Sequence, residues 1–235
     1  MDLKRHVYAL GIVAHPDDET FLFAGTCLKL AEEGKSTAVI CATKGEKGAD
    51  RLNRNLTRKQ MTTERVSELN KAAKIIKLKK VEFFDYSDGG LENTDFKKLA
   101  KKLAEKINQY APQIVLTFGP EGISGHKDHT VMGLATLAAI RLANHKPKEA
   151  WLASMPSSKI KEFNDHLDRR RVHHSHFHKI KLKGVLDRKL KDLDISKYSK
   201  IKMRAIKAHK SQFAPHLILK NFLYHEYFQV VTINH

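Results

Sequence analysis

The chain has 235 residues, and 43 lysines and arginines against 26 acids give it a formal charge of +17. That length suits one domain of roughly 150–250 residues with a core of its own. Apolar residues recur in every segment at 41% overall, which excludes intrinsic disorder, and no apolar run approaches the roughly 20 residues of a membrane helix.

The N-terminal stretch MDLKRHVYALGIVAHPDDE holds a short apolar run that ends in acids and has no small-residue cleavage site, so no secretory signal is expected. Within it, Val7–Ala14 is a compact apolar run suited to a strand buried on both faces. Apolar residues at helical spacing follow from about Thr20 to Glu33, with Gly34 as a stop. Thr37–Ala42 reads as a second strand and Thr43–Asn55 as a polar loop. Arg58–Ile76 reads as a helix, Val81–Phe84 as a third strand, and Asp85–Asn93 as a turn-rich loop. Phe96–Tyr110 is a lysine-rich amphipathic helix and Gln113–Phe118 a fourth strand. A helix over His129–Asn144 and a fifth strand over Ala150–Ala153 complete the regular part. After about Ser154 the rhythm loosens: residues 157–183 are heavily charged, Tyr198–Lys210 resumes as a helix, and Tyr224–Ile233 closes as a strand.

Alternating strands and helices imply right-handed crossovers. The expected fold class is α/β and Rossmann-like: a mostly parallel central sheet with helices on both faces, followed by a less regular C-terminal portion. No internal repeat or low-complexity linker divides the chain, so a single domain over residues 1–235 is expected. Cys27 and Cys41 lack CxxC spacing and read as buried thiols of a reducing compartment, which makes the expected location cytoplasmic.

Two clusters carry chemistry. His15-Pro16-Asp17-Asp18-Glu19 follows the first strand directly, where the loops of an open α/β sheet form the binding crevice. A histidine and a carboxylate there can ligate one divalent metal while a second carboxylate stays free as a base. Helix capping accounts for one of these acids but not for the whole run. The second cluster, Gly125-His126-Lys127-Asp128-His129, follows the fourth strand; His126 and His129 share a face on a helical turn. In the doubly wound order 3-2-1-4-5 the first and fourth strands are neighbours. The two loops then meet, and His15, Asp18 and one of the two histidines make a three-ligand open metal site. Asp128 is placed to orient and charge His126.

With these residues the sequence resembles the LmbE/PIG-L family of zinc-dependent N-acetylglucosaminyl deacetylases. AHPDDE and H-x-D-H carry most of the likeness. Arg65 with Glu68 and Leu69, the Asp85-Tyr86-Ser87-Asp88-Gly89 loop, Lys202, the His209-Lys210-Ser211-Gln212 stretch and Glu226-Tyr227-Phe228 add to it in the family's order. Lys127 stands where many relatives have proline. The resemblance implies that His15, Asp18 and His129 bind one zinc ion, for which iron(II) or cobalt(II) are fitting substitutes. It implies that Asp17 is the general base, that His126, paired with Asp128, serves the oxyanion or the leaving amine, and that Arg65 reaches the substrate. The implied substrate is a small N-acetylated amino sugar, such as a GlcNAc conjugate of a thiol-cofactor pathway or a chito-oligosaccharide, with another acetylated amine as the alternative.

The basic charge makes an anionic conjugate the better fit. Nucleic acid is not an expected partner: aromatic residues are only 8%, and no RNP-like or zinc-finger pattern accompanies the lysines. Nor does a GxGxxG follow the first strand, which disfavours a nucleotide cofactor. Homo-oligomerisation is compatible with the chain. The histidine-rich stretch at 173–178 reads as a solvated surface segment, with metal or anion binding as its rival.

Overall fold

A computed structural model of the protein describes residues 6–162, 184–213 and 221–234. The histidine-rich stretch 173–178 lies outside the described residues. Five strands, β1 (Ala9–Val13), β2 (Thr37–Thr43), β3 (Lys80–Tyr86), β4 (Ile114–Phe118) and β5 (Glu149–Ala153), run parallel in the order β3-β2-β1-β4-β5. β1, β2 and β4 are buried at every residue, as apolar runs covered on both faces must be. The expected neighbourhood of the first and fourth strands is met: Ala9 lies opposite Ile114 and Gly11 opposite Leu116.

Two more strands, β6 (Lys191–Asp194) and β7 (His225–Thr232), make the sheet mixed. β7 runs antiparallel to β5, and β6 antiparallel to β7 at the edge. The closing strand was legible in the aromatic and β-branched run YHEYFQVVTI. β6 was not, because Lys-Asp-Leu-Asp has no apolar alternation. It is a strand because β7 offers it an open edge, with Leu193 opposite Glu226.

Helices α1 (Asp18–Glu32), α2 (Arg58–Ile75), α3 (Phe96–Tyr110), α4 (Lys127–Leu142) and α5 (Ser199–Ala208) flank the sheet. α3 follows its sequence directly: the Asp95 carboxylate caps the amides of Lys97 and Lys98, and Leu99, Leu103, Ile107 and Tyr110 form the buried stripe. Each fully buried leucine or isoleucine there stabilises the fold by about 1.5–3 kcal/mol. α3 packs along α4, whereas α1 and α2 both pack against α5. Right-handed crossovers require this division, because the chain steps one way from β1 to β3 and the other way from β3 to β5.

One internal feature ties the C-terminal segment to the start of the chain. α1 is interrupted at Phe23, whose φ of −151° and ψ of 24° are not helical. The freed groups are taken up by a buried ion pair. The Lys202 ammonium donates to the Phe21 carbonyl at 3.0 Å and to Glu226 Oε1 at 2.7 Å. Glu226 accepts from the amides of Gly25 and Thr26, both at 2.8 Å, and from the Thr26 hydroxyl. A kink with its backbone groups satisfied by inserted side chains is stable where an unsatisfied one is not.

Candidate metal centre and active site

The carboxyl ends of β1, β3 and β4 bring the chemistry together. β1 delivers His15 to Glu19, β4 delivers the loop that ends in His126 and His129, and the loop after β3 delivers Asp88. His15 Nδ1 faces His129 Nε2 at 3.2 Å. Asp18 closes the triangle, with Oδ1 at 3.2 Å from His129 Nε2 and Oδ2 at 3.7 Å from His15 Nδ1.

The outer nitrogens of both rings are committed. His15 Nε2 lies 3.1 Å from Asp88 Oδ1 and 3.1 Å from Asp128 Oδ2. His129 Nδ1 lies 3.0 Å from the Ser124 hydroxyl and 3.2 Å from the Gly122 carbonyl. With the proton on His15 Nε2 and His129 Nδ1, the lone pairs of the other two nitrogens face each other, the arrangement a bound metal needs. Two ring nitrogens 3.2 Å apart beside a carboxylate are a donor set that can hold a divalent cation. Tetrahedral zinc, with ligand bonds near 2.0–2.2 Å, separates its ligand atoms by about 3.4 Å. The nitrogen–nitrogen and nitrogen–Oδ1 separations of 3.2 Å are close to that value, while Oδ2, 3.7 Å from His15 Nδ1, accepts from the His15 amide.

The loop that presents His129 is bent hard to do so. Ile123 holds φ 57° and ψ −59°, a genuine outlier for a β-branched residue, between Gly122 and Gly125 at positive φ. His126 caps α4, its Nδ1 accepting the Asp128 amide at 3.2 Å, and its ring centre stands 4.8 Å from that of His15 and 5.0 Å from that of His129. The ligand atoms of His15, His126 and His129 lie within 4.8 Å of one another, as do those of His15, Asp88 and Asp128. The Asp128 carboxylate, expected beside His126, meets His15 instead. Its other contacts are the amides of Gly89 at 2.8 Å and Leu91 at 3.0 Å. The reason is local: His126 spends its Nδ1 on the start of the helix, so Asp128 reaches His15 and the Gly89-Gly90 turn.

Asp17 stands at the N-cap of α1 but makes no side-chain cap bond, so capping does not explain it. It holds φ 123° and ψ −29°, and its carboxylate lies 3.2 Å from the Arg65 guanidinium. Burial pushes the Asp17 carboxyl up, the Arg65 charge pulls it down, and neighbouring Asp18 pushes it up again, to about 6. Asp18 goes the other way: burial disfavours its charge, but the His129 charge and hydrogen bond outweigh burial and hold the carboxyl well below the usual range. Burial likewise works against charged His15, yet its hydrogen bonds to Asp128 and Asp88 carry its pKa up to about 10. Asp88, despite burial, is lowered to about 2 by the same contact.

Arg65 reaches the crevice from α2 and is 4% exposed. Its guanidinium donates to the carbonyls of Pro16 and Gly45 and lies 3.8 Å from Asp88 Oδ2. Gly45 has to be glycine: its φ is +69°, and an added Cβ would sit 2.2 Å from Arg65 Nη1. Sequence reasoning gave no role to Asp88 or Glu19. A signal existed for Asp88, an acid before Gly89-Gly90 at the carboxyl end of a strand. Lys202, His209 and Ser211, which add to the family likeness, each find a buried acid. Lys202 meets Glu226, His209 Nε2 meets Glu19 Oε1 at 2.9 Å, and Ser211 donates twice to Glu68 at 2.7 Å.

Fold and site together define an α/β protein whose crevice gathers histidines and carboxylates able to hold a metal ion, with a further acid beside them. The PIG-L family profile, described as GlcNAc-PI de-N-acetylase, matches residues 10–140, and the chain belongs to that family of metal-dependent hydrolytic enzymes. Among relatives, a probable N-acetyl-alpha-D-glucosaminyl L-malate deacetylase 2 of Bacillus anthracis is 28% identical over 215 residues, 91% of this chain and 84% of that one. The fold is similar to that of N,N'-diacetylchitobiose deacetylase from Pyrococcus horikoshii, with a TM-score of 0.65 and 20% identity over 95% of this chain and 83% of that one. It is also similar to that of GalB, the 4-carboxy-2-hydroxymuconate hydratase of Pseudomonas putida KT2440, with a TM-score of 0.70 and 20% identity over 96% of each chain. These two likenesses concern the fold alone; the hydratase among them puts the weight of any functional reading on the site.

Proposed function

We propose that the protein is a zinc-dependent N-deacetylase that removes the acetyl group from an N-acetylglucosamine-type substrate, giving acetate and a free amino sugar. One observation carries this reading: two histidine nitrogens and a carboxylate oriented onto one point, with a second carboxylate of raised pKa standing free of them. His15, Asp18 and His129 would hold the ion, which supplies Lewis-acid polarisation of water and of the amide carbonyl when bound. Asp17 takes the proton of the attacking water, for which a pKa of about 6 suits work near neutral pH. His126, at the rim of the same cluster, steadies the oxyanion and returns a proton to the departing amine. Asp128 and Asp88 act through His15, whose ring they orient. Arg65 acts on the base, holding the Asp17 carboxylate.

The basic balance of the chain supports an anionic conjugate, such as a malate or phosphate ester of GlcNAc, over a neutral oligosaccharide. The test is release of primary amine from GlcNAc, GlcNAc-malate, GlcNAc-inositol and di-N-acetylchitobiose by the zinc-loaded protein, run beside Asp17→Asn. We expect release from the conjugates and a loss of at least about 100-fold in the variant, at unchanged metal content. Normal turnover by the metal-loaded variant would remove Asp17 from the base role. Silence across the panel would overturn the amino-sugar assignment.

A further inference from the structure

The peptide that joins Pro16 to Asp17 is clamped from both sides. Its carbonyl accepts from the Arg65 guanidinium, and its N–H donates to Glu19 Oε2 at 3.0 Å. Asp17 needs such a clamp, because φ 123° is a conformation that residues with a side chain rarely hold without support from their surroundings. Glu19 itself has no access to solvent or substrate. Its other oxygen is engaged by His209 Nε2 at 2.9 Å, from a residue 190 positions later at the end of α5.

His209 is 1% exposed, and its second ring nitrogen, Nδ1, is buried with no hydrogen-bond partner among the described residues. A buried imidazole left half-satisfied weakens the fold, so packing does not account for it. Among the described residues the hydrogen bond of the ring goes to the carboxylate that holds the amide of the strained Asp17.

We infer that the buried His209–Glu19 pair is a positioning device for the base: it fixes the backbone of Asp17 and so keeps the Asp17 carboxylate aimed into the crevice. The inference rests on the reading of Asp17 as the base. Both are buried behind Asp17, and the hydrogen-bonded path from His209 through Glu19 ends on the Asp17 N–H. With His209 truncated, the Glu19 carboxylate loses its side-chain donor, turns, and releases the Asp17 peptide from its strained angle. An amide nitrogen at position 209 restores the donor.

The experiment uses full-length zinc-loaded protein as wild type, His209→Ala and His209→Gln, each with and without Asp17→Asn. Backbone hydrogen exchange of the segment around Asp17 is read against that of α4 as internal reference, together with metal content, kcat and KM. In His209→Ala we expect faster exchange confined to that segment, full metal content, an unchanged KM, and kcat lower by about 10- to 100-fold, the cost of misplacing a reacting group by an ångström or less. His209→Gln should recover most of both losses, and it also serves if His209→Ala does not fold. In the Asp17→Asn background the same truncation should change residual turnover less than about 2-fold, since the group it positions is already gone. Wild-type exchange around Asp17 in His209→Ala, or a loss of melting temperature with kcat unchanged, would overturn the positioning role. An equal fold-loss of kcat in both backgrounds would do the same while leaving Asp17 as the base. Full turnover by Asp17→Asn alone would remove the base assignment and this inference with it.

Discussion

At the scale of single residues, the site is organised by what stands behind each ligand. His15 presents Nδ1 inward because Asp88 and Asp128 hold Nε2, and His129 presents Nε2 inward because Ser124 and Gly122 hold Nδ1. Such outer partners set ring orientation and tautomer, and their loss commonly weakens metal binding by about 10- to 100-fold. Asp128→Asn is therefore expected to lower metal affinity in that range, measured by competition with a calibrated chelator, while Asp17→Asn leaves affinity unchanged. Equal affinity in Asp128→Asn and wild type would show that the Asp128 carboxylate does not orient His15. Arg65 follows the same logic, since it is engaged with the carboxylate and carbonyl on either side of the Pro16–Asp17 junction.

At the scale of elements, two ionic contacts make distinct predictions. The Lys202–Glu226 pair joins α5 and β7 to the interrupted turn of α1, and both side chains are buried. Glutamine at 226 leaves the buried Lys202 ammonium without a counter-charge, and its single carbonyl oxygen cannot serve Lys202 and the amides of Gly25 and Thr26 as the two carboxylate oxygens do. Glu226→Gln is expected to destabilise the protein by roughly 3–5 kcal/mol, read as a drop in the urea midpoint with the slope unchanged. A shift under about 1 kcal/mol would mean that water replaces the carboxylate at the kink.

Glu82 on β3 is the second case. Partial burial opposes its charge, but Lys106, Lys80 and the Tyr110 hydroxyl of α3 outweigh burial and hold its carboxyl at about 2, against an ordinary value of 4.5. A folded-state value below the unfolded one means the contribution is complete above pH 4.5 and is lost as the pH falls from there toward 2. Glu82→Gln should lower the melting temperature at pH 6 but leave it close to wild type near pH 2. A constant deficit across that window would assign the effect to packing rather than charge.

At the scale of the whole molecule, the chain carries a formal charge of +17, and its crevice lies at the carboxyl ends of the parallel strands. Long-range attraction between a basic protein and an anionic substrate is screened over about 10 Å at 0.1 M salt. For a GlcNAc-malate substrate, kcat/KM should fall as sodium chloride rises from 0.02 to about 0.5 M, whereas di-N-acetylchitobiose should show little change. Parallel salt curves for the two substrates would detach the basic surface from substrate choice. No helix among the described residues is long and apolar enough to cross a membrane.

The sequence by itself determined the alternation of strands and helices, the order of the first five strands, and the two loops that meet at the site. Those follow from local information: buried parallel strands read as unbroken apolar runs, α3 reads as a stripe with a cap, and right-handed crossovers leave few topologies. It also offered His15, Asp18 and one histidine of the second cluster as a set, with the resemblance choosing His129. Only the tertiary structure decided what depends on distant partners. It turned the Asp128 carboxylate to His15, brought Asp88 to the same ring, made an edge strand of Lys191–Asp194, and set His209 behind Glu19 and Lys202 under the kink of α1. Each of these is a pairing between groups far apart in the chain, the edge strand through its backbone and the others through buried polar side chains, and such pairings leave no periodicity in the sequence. They arise because burial obliges every charge and amide to find whichever partner the fold brings within reach.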